Sequence, residues 1–467
     1  MEHHISRRAI TAGQQFEDRA PLALTGTLRE MASSPTLAIN EAVARRQAAG
    51  KQTLHLGFGE AMFPLHPALR AALTAATDST GYAPVAGVPK LRQAIAGYIE
   101  RTRGVSCGAE QVVVGPGSKP LIYALFHVLA GDVLLPQPSW VSYGPQARLA
   151  GRQVIPVATA ARDHHRLTSQ ALNKAVRAAR AQGAAPRVLV VNSPSNPTGS
   201  MFAPEDVATL GAWARAQGMT IISDEIYAEL AHGWRPHLSL ARVYPEGSII
   251  TGGLSKAFSA GGWRLGYAIL PPGERGSSLG KALRALASEI WSSAATPIAE
   301  AASAAFTPNA ELDMYVQRSA RIHGYITHSL YQTLSELGMS CPAPAGGFYL
   351  YPDFALWRAP LATLGVTTSS QLASYLLDSW AIATLPAVAF GEEPEALRLR
   401  LATSMLCCDS ANLTPAQQTA QLWQLLAQAD SLPVPGTTGQ PVELDLPALT
   451  QAQQRWREVI EHLNSLA

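Results

Sequence analysis

The sequence predicts an α/β protein: a three-layer large domain, with helices on both faces of a mainly parallel sheet, joined to a smaller α+β domain. The first observation is a series of short runs rich in Val and Ile at residues 111–115 (QVVVG), 132–136 (DVLLP), 187–192 (RVLVVN), 220–223 (TIIS) and 248–251 (SIIT). They are apolar almost throughout, without alternation, which suits strands covered on both faces. The second is that segments of helical periodicity lie between them, at residues 119–130, 169–182 and 204–217. Strand–helix alternation of this kind favours a parallel sheet.

The remaining elements follow in chain order. Residues up to about Ala20 show no periodicity and read as a tail. Residues 34–47 have helical spacing through Leu37, Ile39 and Val43, which turns Asn40, Arg45 and Arg46 toward water. A long helix is predicted over residues 309–337, with Leu312, Tyr315, Val316, Ile322, Ile326, Leu330 and Leu334 as its apolar stripe. Strands are expected near 347–351 and 397–402. Residues 431–445, rich in Pro, Gly and Thr, read as a linker, and residues 449–466 as an amphipathic helix resting passively on the surface. The division expected is 1–58 for an arm and a helix contributing to the small domain, 59–308 for the large domain, 309–430 for the small one, and 431–467 for the linker and last helix.

Composition narrows the classes of function. A chain of 467 residues, 47% hydrophobic and 15% charged, has room for two domains and the balance of a globular protein. A net charge of +2 without a basic run gives no sign of nucleic-acid binding. The first fifteen residues lack the apolar segment of a secretory signal, and no stretch reaches the roughly 18 apolar residues of a membrane span. Cys107, Cys341, Cys407 and Cys408 have neither zinc spacing nor the look of a disulfide framework, so a reducing cytoplasm is expected, with Cys407 and Cys408 as buried thiols. No metal site emerges: the pairs His3–His4 and His164–His165, and the lone His127, His232 and His237, are given no role.

Four motifs carry chemistry: residues 192–199 (NSPSNPTG), 224–227 (DEIY), 252–266 (GGLSKAFSAGGWRLG) and 398–403 (RLRLAT). The first three each follow an apolar run, and ligands of open parallel sheets sit at the carboxyl ends of the strands, so one shared site is predicted. Lys256 stands among Gly252, Gly253, Ser255, Ala257 and Ser259, small residues that let backbone approach a ligand closely. A lysine amine becomes a nucleophile once burial or neighbouring cations lower its pKa. Arg264 offers a planar fork for an anion. Gly117, Ser118 and Lys119 sit where a strand turns into a helix, so their amides can meet an anion at its positive end, although the spacing is not that of a nucleotide P-loop. The Lys119 side chain is equally well explained as solvated. Asn196 could be a turn residue before Pro197 and Trp140 a core residue, and Asp224 could cap the next segment, although the strand before it and Tyr227 three residues later favour a functional role.

Taken together with residues 34–51 (SPTLAINEAVARRQAAGK), 81–95 (GYAPVAGVPKLRQAI) and 346–354 (GGFYLYPDF), these motifs resemble the class I/II aminotransferases, the fold-type I pyridoxal-phosphate enzymes, over about residues 34–409. The resemblance implies pyridoxal 5'-phosphate as cofactor and an aminotransferase reaction on an amino acid. Lys256 would form the Schiff base and move the substrate's proton through quinonoid and ketimine intermediates. Asp224 would face the pyridine nitrogen and keep it protonated; Tyr227 and Asn196 would hydrogen-bond the phenolic oxygen. Ser255, Arg264 and the Gly117–Ser118–Lys119 amides would hold the phosphate, and Trp140 would stack on the ring. Tyr82 would reach the phosphate of a partner subunit, which makes the protein a homodimer with a shared site.

Arg398 matches the arginine that grips the substrate α-carboxylate. Arg400, two residues on, is expected at the surface through a local bend, the alternative being a second anionic group. The family's glycine–glutamate–proline–aspartate run at the substrate entrance is here Gly59, Glu60, Ala61, Met62 and Phe63, so donor preference does not transfer. That departure keeps a second reading open, a non-transaminating enzyme that eliminates, replaces, cyclises, oxidises or joins carbon. A fold kept only for regulation would need a DNA-binding domain for which the amino terminus is too short.

Overall fold

Twelve strands are found among the described residues: β1 (Leu54–His55), β2 (Val112–Gly115), β3 (Asp132–Gln137), β4 (Val154–Ala158), β5 (Pro186–Asn192), β6 (Thr220–Asp224), β7 (Ser248–Gly253), β8 (Gly266–Ile269), β9 (Tyr349–Leu350), β10 (Ile382–Ala383), β11 (Leu385–Pro386) and β12 (Leu399–Ala402). The computed structural model describes residues 31, 34–233, 236–408, 413–433 and 444–466. The expected N-terminal tail, His3–His4 and most of the 431–445 linker lie outside these residues.

Seven strands form one sheet in the order β2-β8-β7-β6-β5-β3-β4. Neighbours from β7 through β4 run parallel, and β8 alone is antiparallel to the strands beside it. Successive residues of one strand enter opposite cores. Val188 and Val190 pack with Val133, Leu135, Ile222 and Ile249 on one face. Leu189 and Val191 pack with Leu134, Val157 and Ile221 on the other. With both faces covered, Val188 to Val191 are all apolar, and each such side chain contributes about 1.5–3 kcal/mol on burial. Two strands of this sheet went unread in the sequence. β4 lies at the sheet edge and alternates between buried and exposed residues, so it lacks a continuous run. β8 falls at the end of the glycine-rich 252–266 motif, where chemistry masked it.

The register sets up the site. Asn192 pairs with Asp224 across β5 and β6, and Asp224 with Thr251 across β6 and β7. The carboxyl ends of three adjacent strands therefore meet at one end of the sheet.

Beyond the sheet, the helix Ala310–Glu336 starts where Asn309 caps it, its side chain accepting from the amides of Glu311 and Leu312. It packs on a three-stranded antiparallel sheet in the order β11-β12-β9. The helix Pro35–Ala48 leads into β1, which pairs parallel with β10, joining the beginning of the described chain to its last third. Arg46 does not turn fully to water as expected: its Nε donates to Thr53 at 3.1 Å. No helix among the described residues is long and apolar enough to cross a membrane.

The last helix, Pro447–Ser465, is not a passive surface element. Leu449, Ala452, Trp456, Val459, Ile460 and Leu463 are buried in the same core as Phe354, Trp357 and Leu334. The Trp357 indole donates to Asn464 at 2.7 Å, and Gln453 donates to Thr333 at 3.0 Å. The amphipathic stripe has a receiving surface, which its sequence alone does not reveal. Trp456 is fully buried, so Trp456→Ala is expected to lower the free energy of unfolding by about 3–5 kcal/mol, measured by urea denaturation.

Candidate active site

A cavity of about 440 Å³ opens at the carboxyl ends of β5, β6 and β7. Its walls bring together Ser118, Lys119, Trp140, Asn196, Asp224, Tyr227, Ser255, Lys256, Arg264 and Gly59, from segments far apart in the chain. Most of the predicted residues therefore share one space.

Asp224 lies at the floor, 3% exposed. Its carboxylate accepts from the Tyr143 hydroxyl at 2.6 Å and from Thr251 at 3.1 Å. Burial pushes the carboxyl up to about 6, and these hydrogen bonds oppose the rise. Among the described residues no cation forms an ion pair with it. Asn192 donates to the Asp224 carbonyl at 2.8 Å and accepts from the Asn196 amide at 2.7 Å, which fixes the 192–196 turn beside the strand end. The Asn196 side-chain oxygen is buried without a partner, so its amide group has an unused place for a ligand.

The Lys256 ammonium donates to the Gly59 carbonyl at 2.7 Å and lies 5.7 Å from the ring centres of Tyr227 and Phe348. Burial pulls its pKa down to about 8; Arg400 and Arg264 lower it further, and Glu60 and Asp224 hold it up. Tyr227 and Tyr349 join their hydroxyls at 2.7 Å, and burial raises both phenols, which keeps them protonated as donors. A Cβ on Gly59 would overlap the Tyr349 hydroxyl. Glycine is required there by close approach.

At the opposite wall Arg264 adopts φ +51° and donates to the Gly261 carbonyl at 2.9 Å. Gly117, at φ +108°, leaves the space that Arg264 occupies: a Cβ there would stand 2.5 Å from its Nη2. Ser118 opens the helix Ser118–Val128, so unpaired amides and the helix's positive end face the same corner as Arg264 and Ser255. Lys119 lies 5.0 Å over the Trp140 ring, its pKa lowered by burial and then by Arg264. Trp140 in turn stands edge-on to Tyr143, ring centres 5.1 Å apart.

The two arginines of the 398–403 motif are placed differently from expectation. Arg398 does not line the cavity: its Nε donates to Asp353 and its Nη1 to Glu392, each at 2.7 Å. Arg400, expected at the surface, is 2% exposed and lines the cavity. Its guanidinium lies 5.0 Å from the Tyr349 ring centre and 5.6 Å from that of Phe390, and its Nη2 donates to the Gly57 carbonyl. Its Nε is buried without a partner. Tyr82 is 96% exposed and lines a separate open pocket with residues from Trp291 to Pro297.

Sequence reasoning missed Tyr143, three residues after Trp140, and Tyr349, which lies within the quoted segment 346–354. It also missed Ser34, Thr36 and Leu37, which reach the cavity from the first described helix and its cap.

The family model for aminotransferase class I and II matches residues 51–411. The chain belongs to the class I and II aminotransferases. It is 33% identical over 402 residues to an aspartate aminotransferase of Geobacillus stearothermophilus, covering 84% of this chain and 97% of the relative. To an asparagine–oxo-acid transaminase of Streptococcus mutans it is 30% identical over 398 residues, covering 83% and 97%. Its fold superposes on the aspartate aminotransferase from Thermus thermophilus with maleate at a TM-score of 0.74, with 28% identity, covering 88% of this chain and all of that one. This aminotransferase is accordingly a pyridoxal-phosphate-dependent transferase of the fold-type I architecture.

The donor set fits that cofactor. A buried carboxylate without a cation suits a protonated ring nitrogen, the Asn196 amide and the Tyr227 hydroxyl line the same cavity as donors for a phenolic oxygen, and a glycine-made cradle with a helix start and an arginine suits a phosphate. In cofactor-free aminotransferase the Asp224 carboxyl is expected to titrate near pH 6, well above an ordinary aspartate. Infrared difference titration reads this as a carboxylate band that is lost in Asp224→Asn; a midpoint near 4 refutes it.

Proposed function

We propose that the chain transfers the α-amino group of an amino dicarboxylic acid, with aspartate as the leading donor, using Lys256 as its base and Arg400 as its carboxylate receptor. The substrate class rests on the relatives' printed names, aspartate aminotransferase above all. One observation carries the residue assignment: the Lys256 amine and a buried guanidinium with an unpartnered Nε face the same cavity.

Pyridoxal phosphate, when bound, supplies an aldehyde for the amine and a ring that accepts electrons from the substrate's α-carbon. The chain's residues do the rest. Asp224 would accept a hydrogen bond from a protonated ring nitrogen, and that cation would offset the cost of its burial. Asn196 and Tyr227 would hold the phenolic oxygen, with Tyr349 orienting the Tyr227 hydroxyl. Arg264, Ser255 and the amides at Ser118 and Lys119 would hold the phosphate, and Trp140 offers a flat face for the ring. Arg400 would take the α-carboxylate at its unpartnered Nε, on the wall of the cavity that Lys256 shares. Lys256, with its pKa near 8, would serve as the base that accepts the substrate's Cα proton at its Nζ.

The sheets support a division near residue 308, since the seven-stranded sheet lies within residues 112–269 and β9 to β12 lie within 349–402. The exposed Tyr82 ring supports a homodimer in which this residue completes the partner's phosphate site. Four cysteines outside any disulfide, three of them buried, suit a cytoplasmic setting.

Single-turnover mixing of holoenzyme with L-aspartate, without acceptor, tests the reaction: one equivalent of oxaloacetate per site is expected, and none with any amino acid of a full panel refutes it. Arg400→Met is expected to raise the KM for the donor by about a hundredfold, since a buried charged hydrogen-bond pair is lost. The Lys256 amine is neutral above its pKa and protonated below it. Borohydride-trapped incorporation of pyridoxal phosphate into cofactor-free protein should therefore rise about tenfold per pH unit toward pH 8 and level off above it. Lys256→Ala should trap none; a profile still rising steeply at pH 10 would exclude the lowered pKa.

A further inference from the structure

Arg398 lies two residues before the carboxylate receptor and is engaged with two acids of its own, so its place in the structure calls for a reason. The Phe390 ring covers one face of the Arg400 guanidinium, and Phe390 ends the short turn Ala387–Phe390. Both ends of that turn are fastened to Arg398. At its start, the Ala387 amide donates to the Arg398 carbonyl at 3.0 Å. Just past its end, after Gly391 at φ +90°, the Glu392 carboxylate accepts from the Arg398 Nη1 at 2.7 Å. Tyr351 reinforces the second fastening. Its hydroxyl donates to the other Glu392 oxygen at 2.6 Å, and its ring lies 6.0 Å from that of Phe390. Asp353 holds the Arg398 Nε at 2.7 Å, so the guanidinium is fixed from both sides. The Phe390 carbonyl also accepts from the Ser139 amide at 3.0 Å, next to Trp140.

We propose that Arg398 and Glu392 act as one positioning unit, an ion pair that holds Phe390 against Arg400 and so aims the free edge of that guanidinium at the substrate carboxylate. The unit touches no substrate. It rests on the reading of Arg400 as the receptor, and it adds a specific dependence that the reading alone does not require. The pair has the means to hold geometry: its side chains are 19% and 9% exposed, so solvent competes weakly for either partner. An arginine face bounded by two aromatic rings has few directions left for its donors. Without the pair, the turn keeps only backbone fastening, and Arg400 gains rotamers in which its free edge misses the carboxylate.

A double-mutant cycle on the reconstituted holoenzyme decides the matter, using Arg398→Met, Glu392→Ala and the double variant. Maleate, a non-reacting dicarboxylate, is titrated by calorimetry, and KM and kcat are measured with L-aspartate or the donor that the panel returns. Each single variant is expected to weaken maleate binding and raise KM roughly tenfold with kcat within about twofold, and the double variant is expected to match the singles. Losses that multiply in the double, or an effect of Arg398→Met with none in Glu392→Ala, would mean that Arg398 meets the ligand itself and would overturn the unit. Unchanged binding in both singles would overturn it as well. If Arg398→Met fails to fold, Glu392→Ala leaves Arg398 bonded to Asp353 and gives the answer alone. Arg400→Met separates the two ideas: if it leaves maleate affinity unchanged, the receptor reading fails, whereas a large loss there with intact Arg398 and Glu392 singles removes only the positioning unit.

Discussion

The site is built around a carboxylate with nowhere to go. Asp224 ends β6 out of contact with water, and the hydroxyls of Tyr143 and Thr251 are the side-chain donors that hold it. Burying an ionised group is costly unless a cation or several donors answer it. Its neighbours meet this constraint in part: Asn192 ties the strand end to the 192–196 turn, and Tyr143 links the floor to the Trp140 wall. A ligand that brings a positive nitrogen to that place completes what the protein leaves undone, and binding is thereby coupled to the electrostatics of the core.

Cations occupy the rest of the cavity in distinct states. Lys256 is buried enough that its pKa falls to about 8, within reach of physiological pH, Arg264 is locked by its own backbone and the Gly117 gap, and Arg400 is held between rings with an unpartnered Nε. Arginine keeps its charge under burial where lysine gives it up. That difference lets one cavity hold an anion receptor and a base at once. Arg398 shows the opposite case, since two carboxylates satisfy its guanidinium and leave little for a ligand.

Much of the fold was legible because the strongest signals are local. Runs such as 187–192 and 220–223 became β5 and β6 nearly residue for residue, since burial on both faces demands apolar side chains at successive positions. The helices Pro204–Gln217 and Ala310–Glu336 also match their periodicity, the second with its Asn309 cap. The edge strand β4 and the motif-embedded β8 escaped, because one alternates and the other is hidden among glycines. The last helix was read for its stripe but not for its partner, since an amphipathic pattern reports that a face is covered and not by what.

From the sequence by itself came the class of fold, the family and the order of the motifs at the strand ends, because strand burial, glycine gaps and the lysine's small neighbours are written in adjacent residues. Tertiary structure decided which of two arginines faces the cavity. Residues two apart on a strand share a side, so spacing cannot separate Arg398 from Arg400. What separates them is that Asp353, 45 residues away in the chain, and Glu392, from the turn just before it, each lie 2.7 Å from the first, while among the described residues the second meets rings and a backbone carbonyl. A side chain's role at a site is set by the partners that distant residues supply, and those become neighbours only when the chain has folded.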